Sequence, residues 1–172
     1  NDGMCAVDNR TMSGIPHLKT VYLSNVGCIV FNPLIFGEES TLLELRLFQN
    51  NILDFPLFTE GSKKIMPQLE VLDLSNNRIK FLSGDSLQGL GNLKKLNLNY
   101  NDLVIIENGT FANLTFLHTI HLVRNKIKYI EADALVSPSL RIVLLAFNPL
   151  VLRHANVFRN CPQIEQIQLF EI

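Results

Sequence analysis

The residues able to do chemistry in this chain are four histidines, three cysteines and sixteen carboxylates, set against fifteen lysines and arginines in 172 residues. Their spacing argues against a catalytic or metal centre. His118 and His121 lie three apart in an alternating segment, so on a strand they point to opposite sides and cannot share a metal ion. No Cys/His spacing fits a zinc site. There is no Gly-x-Ser-x-Gly elbow, phosphate-binding P-loop, glycine-rich dinucleotide loop or His-Glu-x-x-His helix. Carboxylates such as Glu44 and Asp73 are scattered, with nothing to form a water-excluding pocket around them. The chain therefore reads as no enzyme, with no cofactor and no metal. What remains is recognition and modification. Three Asn-x-Thr sequons, at Asn9, Asn108 and Asn113, are acceptors for N-linked sugar. A net charge of −1 supplies no field toward nucleic acid or anionic membrane, so neither is expected as a partner. The longest apolar stretches, such as residues 142–147, fall far short of the roughly 20 residues that cross a bilayer.

The elements that must position these residues follow from a period. The pattern LxxLxLxxNxL recurs clearly at 69–79 (LEVLDLSNNRI), 93–103 (LKKLNLNYNDL) and 117–127 (LHTIHLVRNKI). It recurs more weakly at 18–28, 42–52 and 140–150, and opens again at 164. Successive starts are 24, 27, 24, 24, 23 and 24 residues apart. A fixed period of this length predicts an α/β repeat architecture, a leucine-rich repeat solenoid in which each coil buries its apolar side only by stacking on its neighbours. The fourth and sixth places alternate with variable ones, so each coil should contribute one short strand. Coils in register stack these strands in parallel, and the wider backbone opposite bends the solenoid so that the sheet lines its concave face. The convex side is expected to be irregular or briefly helical.

Asn50, Asn77, Asn101, Asn125 and Asn148 occupy the ninth place, where the chain turns inward. A buried turn leaves amide and carbonyl groups without strand partners, and a carboxamide supplies both a donor and an acceptor. These five should form a structural ladder. Val26 stands at that place in the first full coil, whose turn must be satisfied otherwise. At the nineteenth place Phe36, Leu87, Phe111, Leu135 and Phe158 should make a convex spine. The 27-residue coil carries its extra residues in the polar stretch 59–64, expected as a convex bulge, whereas Asn32 and Pro33 are expected to mark only a turn.

The chain reads as a single domain, residues 1–172, with a partial repeat at 1–17, repeats starting at 18, 42, 69, 93, 117 and 140, and a partial repeat at 164–172. Both ends fall in mid-repeat, so an uncapped piece of a longer array is expected. Register puts Cys28 and Cys161 on core places as small apolar residues. Cys5 falls on a variable place and is expected to be accessible, with a residue missing from the fragment as a candidate partner and its pairing state left open. Asn9 and Asn108 share the sixteenth place, an exposed convex turn that leaves the sheet free of sugar. The sequons favour a secreted or cell-surface compartment over a cytosolic one.

Places three, five, seven and eight set the solvent side of the sheet. They include Tyr22, Arg46, Phe48, Asp73, Tyr100, His121 and Arg124 in the mixed rows, with Arg46 and Asp73 placed to pair. The sixth row differs. Ile142, Leu144, Ala146 and Phe147 put four apolar side chains toward solvent, with Phe170 in the next row. Such a patch marks either an interface or a surface covered by further sequence.

Residues 69–117 (LEVLDLSNNRIKFLSGDSLQGLGNLKKLNLNYNDLVIIENGTFANLTFL) closely resemble the 24-residue, Phe-containing repeats of animal extracellular leucine-rich repeat proteins. The irregular repeat lengths and paired convex sequons look most like Toll and Toll-like receptor ectodomains and secreted immune proteins. That resemblance implies an extracellular recognition module that binds a protein or microbial ligand or a partner subunit, often with dimerisation as the signalling step. The alternative within the same family is an adhesion or scaffold protein that acts by association with itself or another chain.

Overall fold

In the computed structural model, residues 12, 14–37, 40–151, 157, 158 and 160–170 are described. Eleven strands form among them: β1 (Thr20–Tyr22), β2 (Glu44–Arg46), β3 (Thr59–Glu60), β4 (Lys63–Lys64), β5 (Val71–Asp73), β6 (Lys95–Asn97), β7 (Ile105–Ile106), β8 (Thr119–His121), β9 (Tyr129–Ile130), β10 (Ile142–Leu144) and β11 (Gln166–Gln168). Seven of them, β1-β2-β5-β6-β8-β10-β11, make one parallel sheet in chain order. Paired residues are separated by the repeat lengths, so Thr20 meets Glu44, Glu44 meets Val71, and so on to Ile142 and Gln166. The solenoid follows, because each strand is too short to stand alone and gains its backbone partners only from the coils beside it.

Alternation along the strands sends every second side chain into the core. Leu45, Leu72, Leu96, Ile120 and Val143, the central residues of five neighbouring strands of this sheet, are fully buried, as are Leu42, Leu69, Leu93, Leu117 and Leu140 at the head of five repeats. Just before each strand one carbonyl accepts two amides from the next coil. Lys19 O takes Leu43 N–H and Glu44 N–H, and the same sharing recurs at Leu43, Glu70, Lys94, His118 and Arg141.

The asparagine ladder forms as expected. Asn101 Nδ2 donates to Leu98 O of its own coil (3.2 Å) and Leu74 O of the preceding one (2.9 Å), while its Oδ1 accepts Ile79 N–H (3.0 Å). Asn50, Asn77, Asn125 and Asn148 repeat this arrangement. The turn that carries Val26 is satisfied from the next coil: Asn50 Oδ1 accepts the amides of Val26 and Cys28.

On the convex side no α-helix forms among the described residues. Pro33–Phe36 is a 3-10 helix rather than a plain turn, started by Asn32 Oδ1 accepting Leu34 N–H at 3.0 Å and by Pro33 at its first position. A second spans Asp85–Leu87. Of the expected spine, Phe36, Leu87, Phe111 and Leu135 are buried, whereas Phe158 is half-buried. The extra residues of the long coil fold into the antiparallel β3–β4 hairpin, turning at Gly61 with φ +60°. Gly89 lies close below it: a Cβ there would come within 2.6 Å of Phe58 O.

The cysteines correct one expectation. Cys28 is fully buried but disulfide-bonded, so it is not simply a small core residue. Register detects burial and is silent on oxidation. Cys5 lies outside the described residues. Cys161 is free and buried, its Sγ–H donates to Leu135 O, and burial pushes its thiol pKa up.

Candidate recognition face

The sheet face is built by two kinds of position. Places three and five belong to the strands, whose pleat aims them outward. Place eight comes three residues after the end of each strand, where the chain bends into the core. There Asn25, Gln49, Asn76, Tyr100, Arg124 and Phe147 all have positive φ, between 54° and 58°. A left-handed backbone costs an L-residue about 1–2 kcal/mol, least for asparagine. Sheet bonding holds it in place, since the amide at place eight donates to a place-seven carbonyl in the next coil, as Tyr100 N–H does to Val123 O (2.8 Å) and Arg124 N–H to Ala146 O (3.0 Å). The first three coils described this way fill the position with carboxamides. The next three put Tyr, Arg and Phe on it.

Those three side chains stack along the solenoid. The Arg124 guanidinium carbon lies 4.2 Å from the centre of the Phe147 ring and 5.6 Å from that of Tyr100. Both rings keep over two-fifths of their surface in solvent. Among the described residues no carboxylate lies within 4.0 Å of Arg124 or of Lys95 on the same face, unlike the paired Lys94–Glu70, Lys126–Asp102 and Arg141–Glu165. A guanidinium clamped between two rings is rigid and weakly hydrated, and its charge is available to a partner.

The other candidate positions divide between those already engaged and those left open. Arg46 does not pair with Asp73. Its Nε meets Glu44 Oε1 on its own strand at 2.5 Å, and it lies 5.4 Å from the centre of the highly exposed Tyr22 ring. That hydrogen bond leads in raising the Arg46 pKa, against the effect of burial. Asp73 is occupied locally, accepting Ser75 N–H (2.9 Å) and Ser75 Oγ–H (2.6 Å), because a short acceptor two residues before a turn reaches its own backbone first. Phe48 is half-buried. His121 is also half-buried, and desolvation lowers its pKa below the usual histidine value, with Lys95 pushing the same way and Asp73 opposing.

In the sixth row Ile142 and Leu144 are half-buried and Phe147 is exposed, but Ala146 is buried at 1%. The apolar row is therefore three residues, not four. At place seven the chain is already bending inward, and a methyl group is too short to emerge between its neighbours, as is the buried Ser75. Phe170 is 72% exposed. Asn108 and Asn113 are both exposed in turns away from the sheet, and Asn9 lies outside the described residues. The aromatic and guanidinium stack is absent from the row-by-row expectation. Place eight read down the coils shows it, as a change from carboxamides to Tyr, Arg and Phe at one backbone position.

Comparisons with known proteins agree with this architecture. The leucine rich repeat profile matches residues 59–103 and 92–150. The leucine-rich repeat-containing G-protein coupled receptor 5 of Rattus norvegicus is 35% identical over 120 residues, covering 70% of this chain and 13% of the receptor. Toll-like receptor 9 of Mus musculus is 29% identical over 118 residues, covering 69% of this chain and 11% of that protein. Among solved structures, that of a TLR13–ssRNA13 complex superposes with a TM-score of 0.84 at 24% identity over 95% of this chain and 23% of that one. The chain thus spans a small part of the length of the relatives it matches. No helix among the described residues is long and apolar enough to cross a membrane. With its parallel strands, its asparagine ladder and a profile match over more than half its length, the chain belongs to the leucine-rich repeat family, among animal relatives that include Toll-like receptors.

Proposed function

We propose that this chain is an extracellular recognition module, a ligand-binding ectodomain segment of a Toll-type or innate-immune leucine-rich repeat protein. Its sheet face, centred on Tyr100, Arg124 and Phe147, contacts a protein. The observation that carries this reading is that stack: three large side chains held on a costly backbone conformation, exposed, rigid and without an internal charge partner. Rigid aromatic and arginine side chains are what interface hot spots are made of. Ile142, Leu144 and Phe170 extend the stack with apolar surface. Glu44 and Asp73 on the same sheet and the net charge of −1 favour a protein over a polyanion, although one structural relative is seen with single-stranded RNA.

The test uses random dodecapeptides displayed on phage and selected against the folded chain. Clones enriched on the wild type should lose binding to Phe147→Asp and to Arg124→Gln while the circular dichroism spectra stay unchanged. Clones that bind both variants as well as the wild type would remove the face from consideration. A second reading, an adhesion or scaffold module that associates with its own kind, draws on the apolar Ile142, Leu144 and Phe147 row. Sedimentation of the wild type beside Phe147→Asp separates the two, since only self-association gives a concentration-dependent mass that the variant abolishes.

A further inference from the structure

The coil that starts at Leu42 is three residues longer than the 24-residue coil after it, and the extra chain stands on the convex side as the β3–β4 hairpin. The hairpin walls one side of a cleft of about 240 Å³. Gly61, Ser62 and Lys64 line it from the hairpin, Gln88 and Gly91 from the next coil, and Asn113 from the coil beyond. Asn113 is exposed in a turn and opens the sequon Asn-Leu-Thr, whose Thr115 is exposed as well.

The geometry points to this cleft as the seat for the first sugars of an N-linked glycan on Asn113, a binding site for the chain's own N-acetylglucosamine. The proposal rests on the extracellular reading above, because only a secretory route brings the sugar. In the covalent step the Asn113 amide nitrogen attacks the anomeric carbon of an activated oligosaccharide diphosphate donor. The new N–C bond replaces the C–O bond to the diphosphate, which leaves, and one amide proton passes to solvent. A sugar attached there starts inside the cleft, so its further contacts are intramolecular and need no second binding event. Ser62, Lys64 and Gln88 offer a hydroxyl, an ammonium and an amide to ring hydroxyls and the acetamido group, and the side-chain-free Gly91 lets a ring lie close. The volume suits a small ligand rather than a macromolecule. Asn108 is the internal contrast. It is exposed but does not line the cleft, its backbone N–H is bonded to Glu131 Oε2 (2.7 Å), and the Thr110 of its sequon is buried on Glu107 O (2.8 Å).

The experiment is site-resolved mass spectrometry of the whole chain secreted from animal cells. Asn113 should be occupied and dominated by untrimmed oligomannose forms, because a seated core is hidden from trimming enzymes, while the Asn108 glycan is processed. A Cβ at Gly91 meets nothing within 4 Å, so Gly91→Phe can fill the cleft from a permissive position. In that variant Asn113 should shift to processed forms, and removal of glycan should lower Tm in the wild type but not in Gly91→Phe. An unoccupied Asn113, or equal processing at Asn113 and Asn108 in the wild type, overturns the inference without recourse to the variant. A chain that reaches the medium bare at both asparagines also overturns it, and in addition removes the support the sequons lend to the extracellular reading.

Discussion

Places eight and nine of each coil are neighbours in sequence, and both carry polar or large side chains, yet they serve opposite ends. At place nine five asparagines are turned inward, each bonded to backbone groups of two coils, and three of the four best-buried ones expose less than 8% of their surface. At place eight the side chain points to solvent and its identity is free to vary, from Asn25 to Phe147, while the backbone repeats the same left-handed turn. The difference teaches that a repeat holds its geometry with one residue and displays its chemistry with the next. Constant backbone at place eight is what allows a Tyr, an Arg and a Phe to stack from three separate coils.

Substitutions on either side of this divide measure it. The largest effect should come from Asn101→Ala. It leaves Ile79 N–H, Leu74 O and Leu98 O buried without a side-chain partner and should lower stability by about 3 kcal/mol, read from urea unfolding. A loss below that of an exposed substitution would break the comparison. One residue earlier the sign should reverse. Tyr100→Asn relieves the left-handed backbone by about 1 kcal/mol, offset by about 0.5 kcal/mol of lost contact with Arg124, so the same unfolding experiment should show a small gain in stability. Third, protonation of His121 should destabilise the fold. Its pKa is lower folded than unfolded, so the unfolded chain takes up the proton first. Stability should be level above the ordinary histidine range, fall as the pH drops through it, and level off again below the folded pKa. His121→Gln should remove that limb from a plot of Tm against pH. Smallest of all, Lys126→Ala breaks an exposed pair with Asp102 and should cost less than about 0.5 kcal/mol.

The fold was legible in the sequence because the period states the register directly: a residue 24 places on is a neighbour in the sheet. The burial of Leu45, Leu72 and Leu96 and the bonding of the five ninth-place asparagines to the backbone of the preceding coil follow from that register. The face was legible only in part. Ala146 is buried although its place predicts solvent, because inward and outward alternation ends with the strand and side-chain length decides what emerges beyond it. Spacing alone pairs Arg46 with Asp73 across strands, whereas each has a nearer partner along its own segment, Glu44 for one and Ser75 for the other. The disulfide of Cys28 has no signature in an apolar pattern, and the polar run at 59–64 could not show whether three extra residues would pair as a hairpin.

The asparagine ladder also has a direction. Each amide reaches back to the coil before it, as Asn50 does to Leu23, Val26 and Cys28, so a coil's turn is completed by the arrival of its successor. A chain assembled from its N-terminus would always carry one unfinished turn at its growing front, sealed by the next coil like a slate lapped by the one above. Peeling from the C-terminal side would undo the seals one at a time, whereas loss of a coil from the other side would leave every remaining turn still covered. Hydrogen exchange along the solenoid should therefore be lopsided, with turn amides quickest to open toward the C-terminal end.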